Sequence, residues 1–171
     1  MPLKLHLGCG YERLPNYTNV DVLPTPATDW VQDCKKFPNL SNDSVDEICA
    51  YHLAEHLNIK EFYQAILEWW RILRPSGLLV LEVPDLAKIC MEFAISDEEK
   101  RYKSYNDGPA LINHIYGGQT TPYELHKFGF TKDFLVNTLS GLFENFKFGE
   151  GHKDYKIYCL RLECQKKAKA K

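Results

Sequence analysis

No stretch of the chain approaches the roughly 18 consecutive apolar residues needed to cross a bilayer. No apolar segment of signal-peptide type stands ahead of the first strand-like run at residues 3–7. Charge of one sign is also scarce. Lys and Arg number 21 against 23 Asp and Glu, a formal net charge of -2, so no global field favours nucleic acid or an acidic membrane. The one basic run, "QKKAKAK" at 165–171, lacks apolar periodicity and reads as a disordered, solvated tail. The six cysteines (Cys9, Cys34, Cys49, Cys90, Cys159 and Cys164) include no Cys-x-x-Cys pair. They read as reduced thiols of a cytoplasmic protein, without a disulfide frame. Internal repeats and low-complexity linkers are missing too, so residues 1–164 are expected to form one domain.

What is present is an alternation of strands and helices. Strands are expected at 3–7, 18–22, 29–33 and 44–52. Asn58 with Glu61 has the form of a capping box, and Phe62, Ala65, Ile66, Trp69 and Leu73 then recur at helical spacing until Pro75 and Gly77 end the helix. "GLLVLEVP" at 77–84 is a nearly continuous apolar strand, as one covered on both faces should be. A helix begins at Asp85, and Thr131 caps a second, short one ending near Gly141. Two antiparallel strands joined at "EGHKD" close the chain. The pattern predicts an α/β fold: a Rossmann-like, doubly wound, mostly parallel sheet with a C-terminal antiparallel hairpin. Residues 96–130, irregular and rich in Tyr, Gly, His and Pro, are expected to form a lid over an acceptor site.

Such sheets bind ligands beyond the carboxyl ends of their strands. Gly8, Cys9 and Gly10 stand at the end of the first strand and Asp21 at the end of the second. A dinucleotide site needs a third glycine and an intact helix to hold the pyrophosphate. Arg13 occupies the third-glycine position. Asp21 follows Gly8 by only 13 positions, against about 20 in the dinucleotide fingerprint. Room remains for about one helical turn, so the first crossover helices are expected to be shortened. The loop suits a nucleoside ligand without phosphates. Asp33, closing the third strand, is placed to accept from an adenine amino group.

The run "DCKKFPNLSNDSVDEICAYHLAEHL" followed by "EWWRILRPSGLLVLEVPDL" resembles the class I S-adenosylmethionine-dependent methyltransferases, in particular their small type-11-like branch. The likeness runs through residues 4–85, with "YGGQ" (116–119) and "HKFGFT" (126–131) as further echoes. Ser76 stands where the family usually has glycine. The resemblance implies the class I methyltransferase fold and S-adenosyl-L-methionine as cofactor. It places the Gly8–Gly10 backbone, with Cys9, against the methionine portion, Asp21 on the ribose diol, and Asp33 with Cys34 at the adenine. Tyr51 and His52 would flank the sulfonium. Candidates for a proton acceptor are His126, His52 and Asp85, though Asp85 reads equally as a helix cap.

The implied partner is a small-molecule or sugar-like acceptor, with neither nucleic acid nor membrane. Oligomeric state is not readable. Two other readings stay open. One is a catalytically weak or inactive cofactor-binding module of the same fold. The other is a zinc hydrolase through His52-Leu53-Ala54-Glu55-His56, which fits H-x-x-E-H. That motif needs both histidines on one helix face, whereas Asn58 starts the helix after His56, so no metal site is expected there.

Overall fold

The computed structural model describes residues 2–103, 110–119, 121–151 and 158–168. Seven strands, β1 (Lys4–Leu7), β2 (Thr18–Asp21), β3 (Trp30–Val31), β4 (Val45–Tyr51), β5 (Leu73–Pro84), β6 (Phe143–Gly149) and β7 (Cys159–Lys166), form one sheet of order β3-β2-β1-β4-β5-β7-β6. β1 to β5 pair in parallel, while β7 runs antiparallel to both β5 and β6. This is the expected Rossmann-like α/β sheet with its antiparallel hairpin. Strand order reverses between β1 and β4, which opens the ligand crevice at their carboxyl ends.

One face of the sheet is built by helices. In α1 (Ile59–Ile72) the Asn58 side chain accepts from the Lys60 and Glu61 amides at 3.0 Å, and Glu61 Oε2 accepts from the Asn58 amide at 2.9 Å. The capping box so formed fixes the helix start. Phe62, Ala65, Ile66, Trp69 and Ile72 are then buried. α5 (Lys132–Leu139), capped by Thr131, adds Leu135 and Leu139. These side chains share one core with Leu5, Leu7, Ile48, Ala50, Leu79, Leu81 and Leu162 from the strands.

The other face is polar. Residues paired in register project to the same side, and the pairings join Lys4 to Glu47, His6 to Asn19 and Cys49, Tyr51 to Glu82, and Glu82 to Arg161. Lys4 Nζ lies 2.7 Å from Glu47, the Tyr17 hydroxyl donates to Glu47 at 2.5 Å, and Arg161 reaches Glu163 at 3.0 Å. The connections 8–17, 22–29 and 32–44 contain no helix. Shortening of the first crossovers therefore goes further than the single turn expected, and polar side chains replace the missing layer.

α2 (Leu86–Ile95), α3 (Glu98–Tyr102) and α4 (Leu111–Tyr116) lie between β5 and α5, so the segment 96–130 includes two short helices. β5 starts at Leu73, four residues before its apolar run, because Leu73 pairs with Val45 across an irregularity in β4. β7 extends to Lys166, which is 1% exposed; its Nζ donates to the Leu73 carbonyl at 2.6 Å and to Asp43 at 2.5 Å. Residues 165–166 thus belong to the sheet and not to a tail. Positions 152–154 of the expected turn and 169–171 of the tail lie outside the described residues. Among the described residues no helix is long and apolar enough to cross a membrane.

Candidate active site

β1 ends in a loop that only glycine accommodates well. Gly8 and Gly10 have φ of 67° and 53°, left-handed values that disfavour a Cβ. At Gly8 a Cβ would also come within 2.8 Å of the Leu53 side chain, whereas at Gly10 it would meet nothing within 4 Å. The loop is closed beneath and open above Gly10. Asp21 Oδ2 accepts from the Gly10 amide at 2.8 Å and Oδ1 from the Leu23 amide at 2.9 Å. The Thr25 hydroxyl donates to the Gly10 carbonyl. Buried Cys9 turns its thiol to Thr28 at 3.7 Å.

Asn19 explains how the loop holds its shape without a helix. Fully buried, it accepts from the Leu14 amide at 2.9 Å and donates to the Leu14 carbonyl at 3.3 Å and to Asp29 at 3.0 Å. Backbone groups that a helix would have paired are paired by one amide side chain. Past β3, Asp33 remains exposed, with Oδ1 accepting from the Lys35 amide at 2.9 Å. The neighbouring Cys34 carbonyl accepts from the Trp69 indole at 2.8 Å, and burial pushes the Cys34 thiol up to about 12. Gly8–Gly10, Asp21 and Asp33 thus follow one another along the carboxyl edge, in the order β1, β2, β3.

At the end of β4 the chain turns through His52, itself at a φ of 49°. Its Nδ1 lies 3.2 Å from Glu55 Oε1, and its Nε2 lies 3.5 Å from Glu82 Oε1 and 3.6 Å from Cys159 Sγ. Burial opposes a charge on this ring, yet hydrogen bonds to Cys159, Glu55 and Glu82 outweigh it and raise the pKa to about 12. His52 is therefore a cation clasped by two buried carboxylates, and a poor proton acceptor. Tyr51 joins the polar sheet face: its hydroxyl donates to Cys49 at 3.5 Å and accepts from Arg161 at 3.4 Å. Asp85 caps α2, accepting from the Lys88 amide at 3.2 Å.

His126 is brought back to this edge by backbone pairing. The Lys127 and Phe128 amides donate to the Glu55 carbonyl at 2.7 and 3.3 Å, and the His126 amide donates to Tyr116 at 3.2 Å. The His126 and His56 rings meet edge to face with centroids 5.0 Å apart. Burial lowers the His126 pKa, and burial with the nearby His126 and His52 lowers that of His114 to about 4. His126 Nδ1 lies 3.0 Å from the His114 carbonyl. A carbonyl only accepts, so Nδ1 carries the proton and Nε2 keeps a basic lone pair. His52 and His56 do not form the helical pair that H-x-x-E-H demands: His52 ends a strand and His56 ends the 3-10 turn Ala54–His56. Sequence reasoning singled out neither Asn19 nor Glu82. Only the strand register brings Glu82 beside His52.

The sequence profile of a methyltransferase-domain family matches residues 16–81. No curated protein matches the chain. Among solved structures, a 1,6-didemethyltoxoflavin N1-methyltransferase from Burkholderia thailandensis, bound to its substrate and S-adenosylhomocysteine, superposes with a TM-score of 0.62 at 14% identity, covering 98% of this chain and 72% of that one. A S-adenosylmethionine-dependent methyltransferase from Archaeoglobus fulgidus gives 0.63 at 14% identity, over 96% and 86% of the two chains. The N-methyltransferase NodS from Bradyrhizobium japonicum, with S-adenosylhomocysteine, gives 0.55 at 14% identity, over 96% and 78%. The chain thus has the class I S-adenosylmethionine-dependent methyltransferase fold and carries methyltransferase-domain sequence over residues 16–81.

Proposed function

We propose that this protein transfers a methyl group from S-adenosyl-L-methionine to a small-molecule or sugar-like acceptor. The observation that carries the reading is the carboxyl edge of β1 to β3. The space above Gly10 is open, and two carboxylates follow it in strand order. The residues fit a phosphate-free adenosyl ligand. Each oxygen of Asp21 accepts one backbone N–H, and a carboxylate oxygen has a second lone pair, which leaves one per oxygen for a ribose diol. Gly8–Gly10, with Cys9 turned inward, would carry the methionine portion, and Asp33 beside Cys34 the adenine. Tyr51 and His52 close the β4 end of this edge.

When bound, the cofactor supplies an already activated methyl group, so alignment and exclusion of water fall to the protein. Of the three candidate proton acceptors, His52 is held as a cation and Asp85 is engaged as a cap. His126, kept neutral by burial, offers a basic lone pair on the lid side of the site. The acceptor would enter between this edge and His126.

A thermal-shift titration tests the reading. S-Adenosylmethionine and S-adenosylhomocysteine should both raise the Tm, because a ligand of the native state stabilises it by mass action. Asp21→Ala should weaken binding by more than about 1 kcal/mol, the least expected when hydrogen bonds to a charged group are lost. No shift at millimolar ligand would contradict the proposal. Ligand binding without turnover on any acceptor would favour the binding-module reading instead, to which the absence of helices in the first three connections lends support.

A further inference from the structure

Among the described residues, the buried side-chain polar atoms with no hydrogen-bond partner are Glu55 Oε2 and the Trp70 indole nitrogen. Glu55 is 1% exposed, and its other oxygen is taken by His52. Glu55, His56 and His126 each bring one metal-ligating atom within 4.8 Å of the other two. His56 Nδ1 lies 3.2 Å from the Leu125 carbonyl, as His126 Nδ1 lies 3.0 Å from that of His114. Both rings therefore donate through Nδ1 and present Nε2 as a lone pair. Three electron-pair donors converge.

We infer that Glu55, His56 and His126 form a site for one divalent transition-metal ion, leaving a coordination position free for an oxygen of the methyl acceptor. Several features fit. Two imidazoles and one carboxylate suit Zn²⁺, Co²⁺, Fe²⁺ or Mn²⁺ better than Ca²⁺ or Mg²⁺, and a three-ligand set is that of catalytic sites with an open position. Each ligating histidine has its other nitrogen anchored on a backbone carbonyl, the arrangement that fixes tautomer and ring direction in metal proteins. The ligands are also fixed to one another, because the Glu55 carbonyl accepts from Lys127, the residue after His126. Finally, a cleft beside the cluster, bordered by Glu55, His114, His126, Phe128 and Gly129 but not by His56, has room for about one water-sized guest. Tetrahedral bonds of about 2.1 Å place ligand atoms roughly 3.4 Å apart, within the separation already present.

The lone pair assigned above to His126 would then serve as a metal ligand, and the ion would lower the pKa of a coordinated acceptor hydroxyl, whose proton would leave to solvent water in place of direct abstraction by His126. The metal site stands on its own geometry; its link to the acceptor rests on the methyl-transfer reading. The chain that results differs from the H-x-x-E-H pattern, since His52 is not a ligand.

Protein stripped with EDTA and titrated calorimetrically with ZnCl2 should bind one equivalent and gain several degrees in Tm. Cobalt-loaded protein should show visible absorption of N/O coordination. His56→Ala, a change at a half-exposed ring, and His126→Ala should each weaken binding at least tenfold, while His114→Ala should leave it within a factor of about three; circular dichroism establishes that each variant is folded. Absence of saturable binding of Zn²⁺, Co²⁺ and Mn²⁺, or binding that both ligand substitutions leave intact, would overturn the site. S-Adenosylhomocysteine binding to the stripped protein reads the methyl-transfer proposal separately, so either can fail without the other.

Discussion

The two faces of the sheet are made in opposite ways. On one, α1 and α5 cover strands whose inward residues are apolar and fully buried, and Trp69 and Phe62 of α1, with Phe130, are among the largest buried side chains there. On the other, the first two connections supply no helix, and the strands present Lys4, His6, Glu47, Cys49, Tyr51, Glu82, Arg161 and Glu163 to one another. A doubly wound sheet normally needs helices on both faces to bury two apolar surfaces. Here one surface has been made polar, so no second layer is required. The carboxyl edge survives the change because it depends on strand ends and turns, which Asn19 and Asp21 hold in place.

That contrast predicts unequal sensitivity to substitution. Trp69→Ala, on the helical face, should cost about 3–5 kcal/mol through cavity formation, read by urea unfolding; a loss below about 1 kcal/mol would mean that the two faces are not so different. Tyr17→Phe, on the polar face, removes the donor to Glu47 and the acceptor for the Cys49 thiol and should cost about 2 kcal/mol, in the range for a bond to a charged group. A loss as large as that at Trp69 would make the polar face the main scaffold. The smallest effect concerns Asp29, which hydrogen bonds to the Asn19 backbone and side chain and the nearby Arg13 lower to about 2. A depressed carboxylate stabilises the fold above its ordinary pKa near 4 and loses that contribution as pH falls toward 2. Asp29→Asn should therefore flatten the stability profile between about pH 4 and 2 and leave its shape above pH 5 unchanged.

Much of this was legible in the residues. The capping box at Asn58 and Glu61 and the spacing of apolar residues locate α1 because both signals are local. The parallel pairing of β4 with β5 follows from the helix between them, and the terminal hairpin from two strands joined by a turn. The glycines and the two aspartates lie where strand ends put them. The polar face was legible in part: in β4, Glu47, Cys49 and Tyr51 alternate with Ile48 and Ala50, a period of two that the continuous apolar run of β5 lacks. Its ion pairs were not, because Lys4 meets Glu47, and Tyr51 meets Arg161, only through register. α3 and α4 span 5 and 6 residues, too few to show helical periodicity. The convergence of Glu55 and His56 on His126 depends on the pairing of the Lys127 amide with the Glu55 carbonyl, residues far apart in sequence, which no local pattern announces.

On the proposed function, a glycine loop and two aspartates suffice to seat an adenosyl ligand without a crossover helix. Amide NMR of the labelled protein during titration with S-adenosylhomocysteine tests this most directly. The largest shifts should fall on Gly8, Gly10, Leu23 and Lys35, whose amides flank or bond to the two carboxylates, with Glu163 on the polar face unmoved. Shifts centred on the polar face, or none at saturating ligand, would contradict it.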